Sequence, residues 1–140
     1  MSDVRPKPIP IPDDVTRPFW DAAKERRLVV QRCTMCGYYN HPPRTVCDAC
    51  LSQELRFEPV SGLGRIHTFT VMHQRDVPGF ESEAPFISIV IELEEQPLLL
   101  MVSDLPLSER HRVQIGDLVS VDFEDRGEGA IVPQFRLGDR

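Results

Sequence analysis

The sequence predicts a mainly β protein, with an N-terminal helix and a four-cysteine metal ribbon followed by a five-stranded barrel. Three observations carry this. Cysteines fall as Cys33-x-x-Cys36, ten residues, then Cys47-x-x-Cys50. After Gly62 the chain breaks into short alternating runs rich in β-branched and aromatic residues. Between Thr16 and the first cysteine lies one segment with helical signals. Three sections follow: an extended Pro-rich tail over 1–16, helix and ribbon over 17–60, and barrel over 61–140.

The tail places Pro6, Pro8, Pro10 and Pro12 at every second position. Proline fixes φ and lacks an N–H, so the segment is extended and outside any helix. It reads as disorder, or as an arm that orders on a partner. Thr16 is the predicted N-cap of a helix over Arg17–Arg27, with Pro18 in the first turn, where its missing donor costs little. Phe19 and Ala23 share one face. Trp20, the sole tryptophan, packs on its own fold or anchors another chain.

Leu28–Arg32 is a strand entering the cysteines, and Glu54–Val60 is extended. Two tight Cys-x-x-Cys turns aim four sulfurs at one point, which suits tetrahedral zinc. Four thiolates leave no open position for water or substrate, so the zinc reads as structural. A four-sulfur iron site is the alternative. Gly37 follows the first pair and admits a positive φ, while Leu51 stands at the matching place, so the two knuckles read as inequivalent. Pro42-Pro43-Arg44 stiffens the loop between them, and His41 reads as a loop residue, not a ligand.

Arg65–Gln74 is a strand whose imperfect alternation predicts a bulge. In Phe86–Leu93, Ile87, Ile89, Ile91 and Leu93 face inward. Pro97–Val102 reads as a strand covered on both faces. Pro106–Gln114 is a short helical turn. Leu118–Phe123 places Val119, Val121 and Phe123 inward, and the turn Arg126–Gly129 leads to a last strand, Ala130–Phe135. Five strands of this size suit a closed barrel, which removes sheet edges. An OB-fold is expected, with an SH3-like barrel as competitor.

Candidate chemistry outside the cysteines is sparse. His67 and His73, six apart, are expected on one strand face without a third ligand. Asp76, Glu81 and Glu83 read as a solvated acidic loop, in which Phe80 and Phe86 offer apolar contacts to a partner. Neither a nucleophile signature nor a glycine-rich phosphate loop is found, so no catalytic residue is assigned. The formal net charge is -6. Residues 1–58 carry 9 Lys or Arg against 8 Asp or Glu, whereas 59–140 carry 7 against 14. An acidic barrel opposes phosphate-backbone binding, although ribbons and OB-folds both include single-stranded nucleic-acid binders. With neither a long apolar run nor a signal-peptide pattern, a cytoplasmic location is expected, away from any membrane.

In order, Phe19-Trp20, Leu28-Val29-Val30-Gln31-Arg32-Cys33, Cys36-Gly37, Pro42-Pro43-Arg44, Cys47, Cys50 and Gly62-Leu63-Gly64-Arg65-Ile66 resemble one family. Pro85-Phe86 and Ile115-Gly116-Asp117 extend the match over about residues 17–137. The family is that of the OB-fold proteins with an N-terminal rubredoxin-like zinc ribbon, known as domain of unknown function 35. The resemblance implies an accessory subunit in complex with a thiolase-like or other acyl-CoA enzyme, helping to bind acyl-CoA at the shared interface. Coenzyme A phosphates would then meet Arg26, Arg27, Arg32 and Arg44, because the barrel loop is acidic. Phe19, Trp20, Phe80 and Phe86 complete the expected partner or acyl-CoA contacts.

Overall fold

The structure, a computed structural model, describes residues 6–74 and 76–138; the first five residues of the Pro-rich tail lie outside the described residues. Helix α1 spans Arg17–Lys24, three residues shorter than expected. Its end is a Schellman turn. Arg27 N–H donates to Ala22 O and Arg26 N–H to Ala23 O, both at 2.9 Å, with Arg26 at φ 58°. The start also differs from expectation. Thr16 does not cap with its side chain. Asp13 does the capping, since its Oδ1 accepts from the N–H groups of Val15 and Thr16 and from the Thr16 hydroxyl. Phe19, Ala22 and Ala23 form the buried face.

Strands β1 (Val29–Cys33), β2 (Tyr39–Asn40) and β3 (Leu55–Pro59) make an antiparallel ribbon in the order β2-β1-β3. Two glutamines act as extra strand rungs. Buried Gln31 donates to Arg44 O and accepts from Arg44 N–H, both at 2.8 Å, which pins the loop between the cysteine pairs. Gln96, from a turn of the second sheet, does the same with Tyr39, at 3.0 and 2.9 Å, and ties the ribbon to the barrel.

The second sheet holds β4 (Leu63–Met72), β5 (Phe86–Leu93), β6 (Leu100–Ser103), β7 (Leu118–Asp125) and β8 (Ile131–Leu137). Their order is β6-β5-β4-β7-β8, all antiparallel, with a 3-10 turn at Leu107–Arg112 before β7. This curled five-stranded sheet has the partly open form of an OB-fold. The alternation in β5 is as expected: Ile87, Ile89, Ile91 and Leu93 are buried and join Ile66, Met101, Leu105, Val119 and Phe135 in the core. Each such side chain contributes about 1.5–3 kcal/mol of burial.

Two sheet expectations need correction. The β4–β5 pairing slips between Ile66 and Thr68, so the bulge falls on His67. That slip, with His73 beyond the end of β4, breaks the expected shared face of the two histidines, and both are exposed. Pro97–Val102 is not covered on both faces. Leu98 sits in a turn at φ 59° and is 68% exposed, and Val102 on β6 is 71% exposed. Strand β6 is an edge.

The barrel stays open along the seam between β6 and β8, and Pro133 explains why. Its C=O accepts from the Ser103 hydroxyl at 3.2 Å, so its N side also faces β6, where it has no hydrogen to give. Phe135 N–H donates to Asp104 O at 3.1 Å and, among the described residues, supplies a single backbone rung across the seam. Helix α1 packs against β8 and β1, joining ribbon and barrel in one core through Phe19, Leu28 and Val30.

Replacing Gln31 by Leu leaves the Arg44 N–H and C=O unpaired. It is expected to lower stability by about 2–3 kcal/mol, measured by denaturant unfolding of the zinc-loaded chain.

Candidate metal centre and apolar cavity

The ribbon brings Cys33, Cys36, Cys47 and Cys50 together, with all four sulfurs within 4.8 Å of one another. Cys33 and Cys50 are 3.6 Å apart, and Cys36 and Cys47 are 3.7 Å apart. Zn–S bonds near 2.3 Å in a tetrahedron require sulfur–sulfur edges of about 3.8 Å, so the cage fits zinc. Each knuckle supplies one buried and one exposed sulfur, Cys33 and Cys47 within, Cys36 and Cys50 outward.

The knuckles are built alike. In the first, Gly37 N–H donates to Cys33 O at 2.9 Å and Cys33 N–H to Tyr38 O at 2.9 Å. In the second, Leu51 N–H donates to Cys47 O at 2.9 Å and Cys47 N–H to Ser52 O at 2.8 Å. Gly37 has φ 81° and Leu51 has φ 65°. The inequivalence expected from Leu51 is therefore absent in the backbone, since the same hydrogen bonds force leucine into the left-handed region at a cost of about 1–2 kcal/mol.

Four thiols this close cannot titrate independently. Burial opposes ionisation of Cys47, yet N–H groups of Cys50 and Ala49 and the Asn40 side chain hold it down to about 6. The Tyr38 N–H favours the Cys36 thiolate, but burial and the neighbouring sulfurs push that thiol up to about 12. A divalent ion removes this conflict by taking all four as thiolates. Asn40 is 1% exposed, and its Oδ1 accepts from Asp48 N–H at 2.9 Å, which fixes the second knuckle.

Beside the ribbon, a cavity of about 610 Å³ sits on the open β6–β8 seam. Phe19 and Trp20 of α1, Phe80 of the β4–β5 loop, Phe86 at the start of β5, and Met101 and Val132 of the edge strands line it. Thus the structure gathers the four expected aromatic contacts in one place. Phe19 meets Trp20 edge-on at 4.9 Å, and Phe80 stacks on Phe86 at 5.3 Å. The four expected arginines do not join them. Arg32 donates to Gly37 O, pairs with Glu58 and lies over the Tyr39 ring. Arg26 donates to Phe123 O, Arg27 pairs with Glu25, and Arg44 pairs with Asp48. A second groove of about 770 Å³, along the start of β4, is rimmed by Arg65, Glu92 and Glu94.

The cavity has walls that the sequence did not suggest. Residues 8–10 of the Pro-rich segment form one of them, so the described part of that segment is held on the barrel. Lys7 Nζ pairs with Glu83 at 2.7 Å and with Glu124 at 3.0 Å, and Arg126 donates to Pro8 O at 2.9 Å. Gly79, at φ 86°, lets the arm pass, because a Cβ there would strike Lys7 Cα and approach Pro6 O at 2.8 Å. Glu83 is consequently no solvated acid. It bonds Lys7 and Arg110, and Arg110 continues to Asp104 at 3.4 Å. Burial tends to lower the Lys7 pKa, but Glu83 and Glu124 outweigh it and raise that pKa. No local signal in Pro6-Lys7-Pro8 announces partners 76 and 117 residues away.

Leu51→Gly relieves the positive φ and sacrifices little burial, since Leu51 is 73% exposed. It is expected to raise the stability of the zinc-loaded chain by about 1 kcal/mol in thermal unfolding. Lys7→Met takes the shared cation from two acidic side chains whose exposure is 12% and 20%, leaving Glu83 with Arg110 and Glu124 with Arg126. Denaturant unfolding should show a loss of about 2 kcal/mol, less than for a fully buried pair.

Comparison with known proteins agrees with this architecture. The family model "ChsH2, rubredoxin-like zinc ribbon domain" matches residues 20–56, and "ChsH2, C-terminal OB-fold domain" matches residues 57–124. The chain is 33% identical over 134 residues to a "Probable enoyl-CoA hydratase alpha subunit" of Thermomonospora curvata, covering 95% of this chain and 40% of that one. It is 38% identical over 79 residues to a "DUF35 domain-containing scaffold protein" of Methanocaldococcus jannaschii, covering 54% and 55%. The chain thus spans about half the length of these relatives or less. A solved chain of the "Ltp2-ChsH2(DUF35) aldolase" superposes with a TM-score of 0.81 at 30% identity, over 91% of this chain and 98% of that one. With a structural zinc ribbon joined to an OB-fold, this chain belongs to the DUF35 family of ChsH2-type proteins.

Proposed function

We propose that the chain is a non-catalytic accessory subunit of an acyl-CoA-processing complex, which steadies a catalytic partner and helps to bind the acyl-CoA. The observation that carries this is the likeness, over 98% of its length, to a chain of an aldolase, together with a hydratase alpha subunit among the relatives. The chemistry of the site supports it. A four-thiolate cage leaves a zinc ion no position for substrate, so the ion shapes the ribbon. Cys33, Cys36, Cys47 and Cys50 are its ligands in this reading.

The partner is thiolase-like or a related acyl-CoA enzyme, and acyl-CoA lies at the shared interface. Phe19, Trp20, Phe80 and Phe86 serve the acyl side. Arg26, Arg27, Arg32 and Arg44 serve the coenzyme or the partner, Arg32 being the one held by Gly37, Glu58 and the Tyr39 ring together. A cytoplasmic location belongs to the same proposal, because free thiolates persist there. Among the described residues no helix is long and apolar enough to cross a membrane. The nucleic-acid reading loses support from the arm. OB-folds commonly use two loops for such ligands, and here Lys7 lies between them, bonded to Glu83 on one side and Glu124 on the other.

Co-expression with a thiolase-like, hydratase or aldolase chain from the same genome is expected to give one size-exclusion peak containing both chains. The isolated chain should turn over no acyl-CoA. Separate peaks with every such candidate would contradict the reading.

A further inference from the structure

The described part of the Pro-rich arm is stiff along its length and fastened near its ends. Proline fixes φ at residues 6, 8, 10 and 12, and each residue between them is kept extended by the proline that follows. Residues 6–12 therefore make a rod about 20 Å long that moves as one piece. At its far end lies a latch. Lys7 Nζ pairs with Glu83 at 2.7 Å and with Glu124 at 3.0 Å, and it lies 5.1 Å from the centre of the Phe80 ring. Arg126 donates to Pro8 O at 2.9 Å beside it. At the near end Asp13 belongs to the helix. Its N–H donates to Thr16 Oγ1 at 3.1 Å, and its C=O accepts from Arg17 N–H at 2.9 Å. The pivot thus falls between Pro12 and Asp13. Between latch and pivot little holds the rod. Among the described residues no hydrogen bond is found to the backbone of residues 9–12, and Ile9 is 40% and Ile11 91% exposed. Yet Pro8, Ile9 and Pro10 wall the seam cavity that Trp20 also lines.

We propose that residues 6–12 are a hinged strap that gates the seam cavity, latched by Lys7 between Glu83 and Glu124. The two carboxylates come from different elements, the 3-10 turn Glu81–Glu83 and strand β7, so the closed latch also clips the β4–β5 loop to the barrel. Opening leaves neither acid alone. Glu83 keeps Arg110 at 2.9 Å, and Glu124 keeps Arg126 at 2.9 Å, while Lys7 passes into water. The latch therefore opens without stranding a buried charge, which is what makes breaking most buried ion pairs costly. Because charge and not apolar area closes it, the strap answers to ionic strength. The inference goes beyond the accessory-subunit reading and requires neither its partner nor its ligand.

Two probes read the strap in the zinc-loaded full chain. The Ile9 and Ile11 amides, each between prolines, report its motion by NMR relaxation, and Trp20, the chain's only tryptophan, reports access to the cavity by acrylamide quenching. At low salt the wild-type amides should show order parameters near about 0.85, and Lys7→Met should bring both below about 0.6 while the core amide of Ile89 is unchanged. The Trp20 quenching constant should rise about twofold in the same variant, as local opening requires. Lys7→Arg keeps the cation and should restore both readings. Ile11→Ala should match the wild type, since that side chain is almost wholly exposed. Raising NaCl from about 0.05 to 1 M should move the wild type toward Lys7→Met and leave Lys7→Met where it is, a comparison in which the wild-type arm needs no substitution. Mobile Ile9 and Ile11 amides in the wild type at low salt would overturn the proposal, as would rigid ones in Lys7→Met. Mobile amides with unchanged Trp20 quenching would overturn the gating role. None of these outcomes touches co-elution with a catalytic chain, so a failure here and a failure of the accessory reading are separately visible.

Discussion

Four sulfurs held within 4.8 Å of one another are the constraint from which the rest follows. The ribbon strands are short, five, two and five residues, and bury little by themselves. A metal cage supplies the organisation that a segment this small cannot obtain from apolar burial. Its knuckles fix where β1 ends and where the loop to Cys47 begins. That loop carries His41, Pro42 and Pro43 to the cavity wall, and Gln31 locks it through Arg44. Through Gln96 and Tyr39 the same ribbon is registered against the barrel. Zinc geometry is thus transmitted to a surface it does not touch.

The barrel contributes the opposite kind of feature, a place where regularity fails. Pro133 denies β8 a donor toward β6, so the sheet curls without closing. An open seam is a liability unless covered. Here α1, the ribbon loop and the Pro-rich arm cover it, and the space left between them is the apolar cavity. The arm is held by charge, not by apolar area. Lys7 bridges two carboxylates, and Ile11 beyond it is 91% exposed. Ribbon, helix and arm therefore shape one site on a barrel that would otherwise present a bare edge.

Local pattern made much of this legible. The Cys-x-x-Cys spacing gave the metal, and the alternation of β5 was reproduced residue by residue. The imperfect pattern of β4 foretold its bulge, though not that it fell on His67. What escaped was long-range or cooperative. Thr16 looked like a cap, but its hydroxyl turns back to accept from Asp13 N–H, while Asp13 Oδ1 takes the N–H groups of Val15 and Thr16 one turn earlier. Leu51 looked unfit for a glycine's place, yet the knuckle's hydrogen bonds outweigh its strain. The apolar run Pro97–Val102 suggested double coverage, because composition cannot tell a buried strand from an edge strand beside a cavity. Glu83 read as part of a solvated loop, and the Pro-rich segment as disorder or a partner's arm, until the fold brought Glu83 and Lys7 to 2.7 Å.

The claim that the ion organises the chain without performing chemistry is most directly tested by X-ray absorption at the zinc edge of the purified, metal-loaded protein. Four sulfur neighbours at about 2.3 Å, with no lighter atom in the coordination sphere, is the expected spectrum. A water or hydroxide oxygen replacing a sulfur would reveal an open, exchangeable position and contradict a purely structural metal.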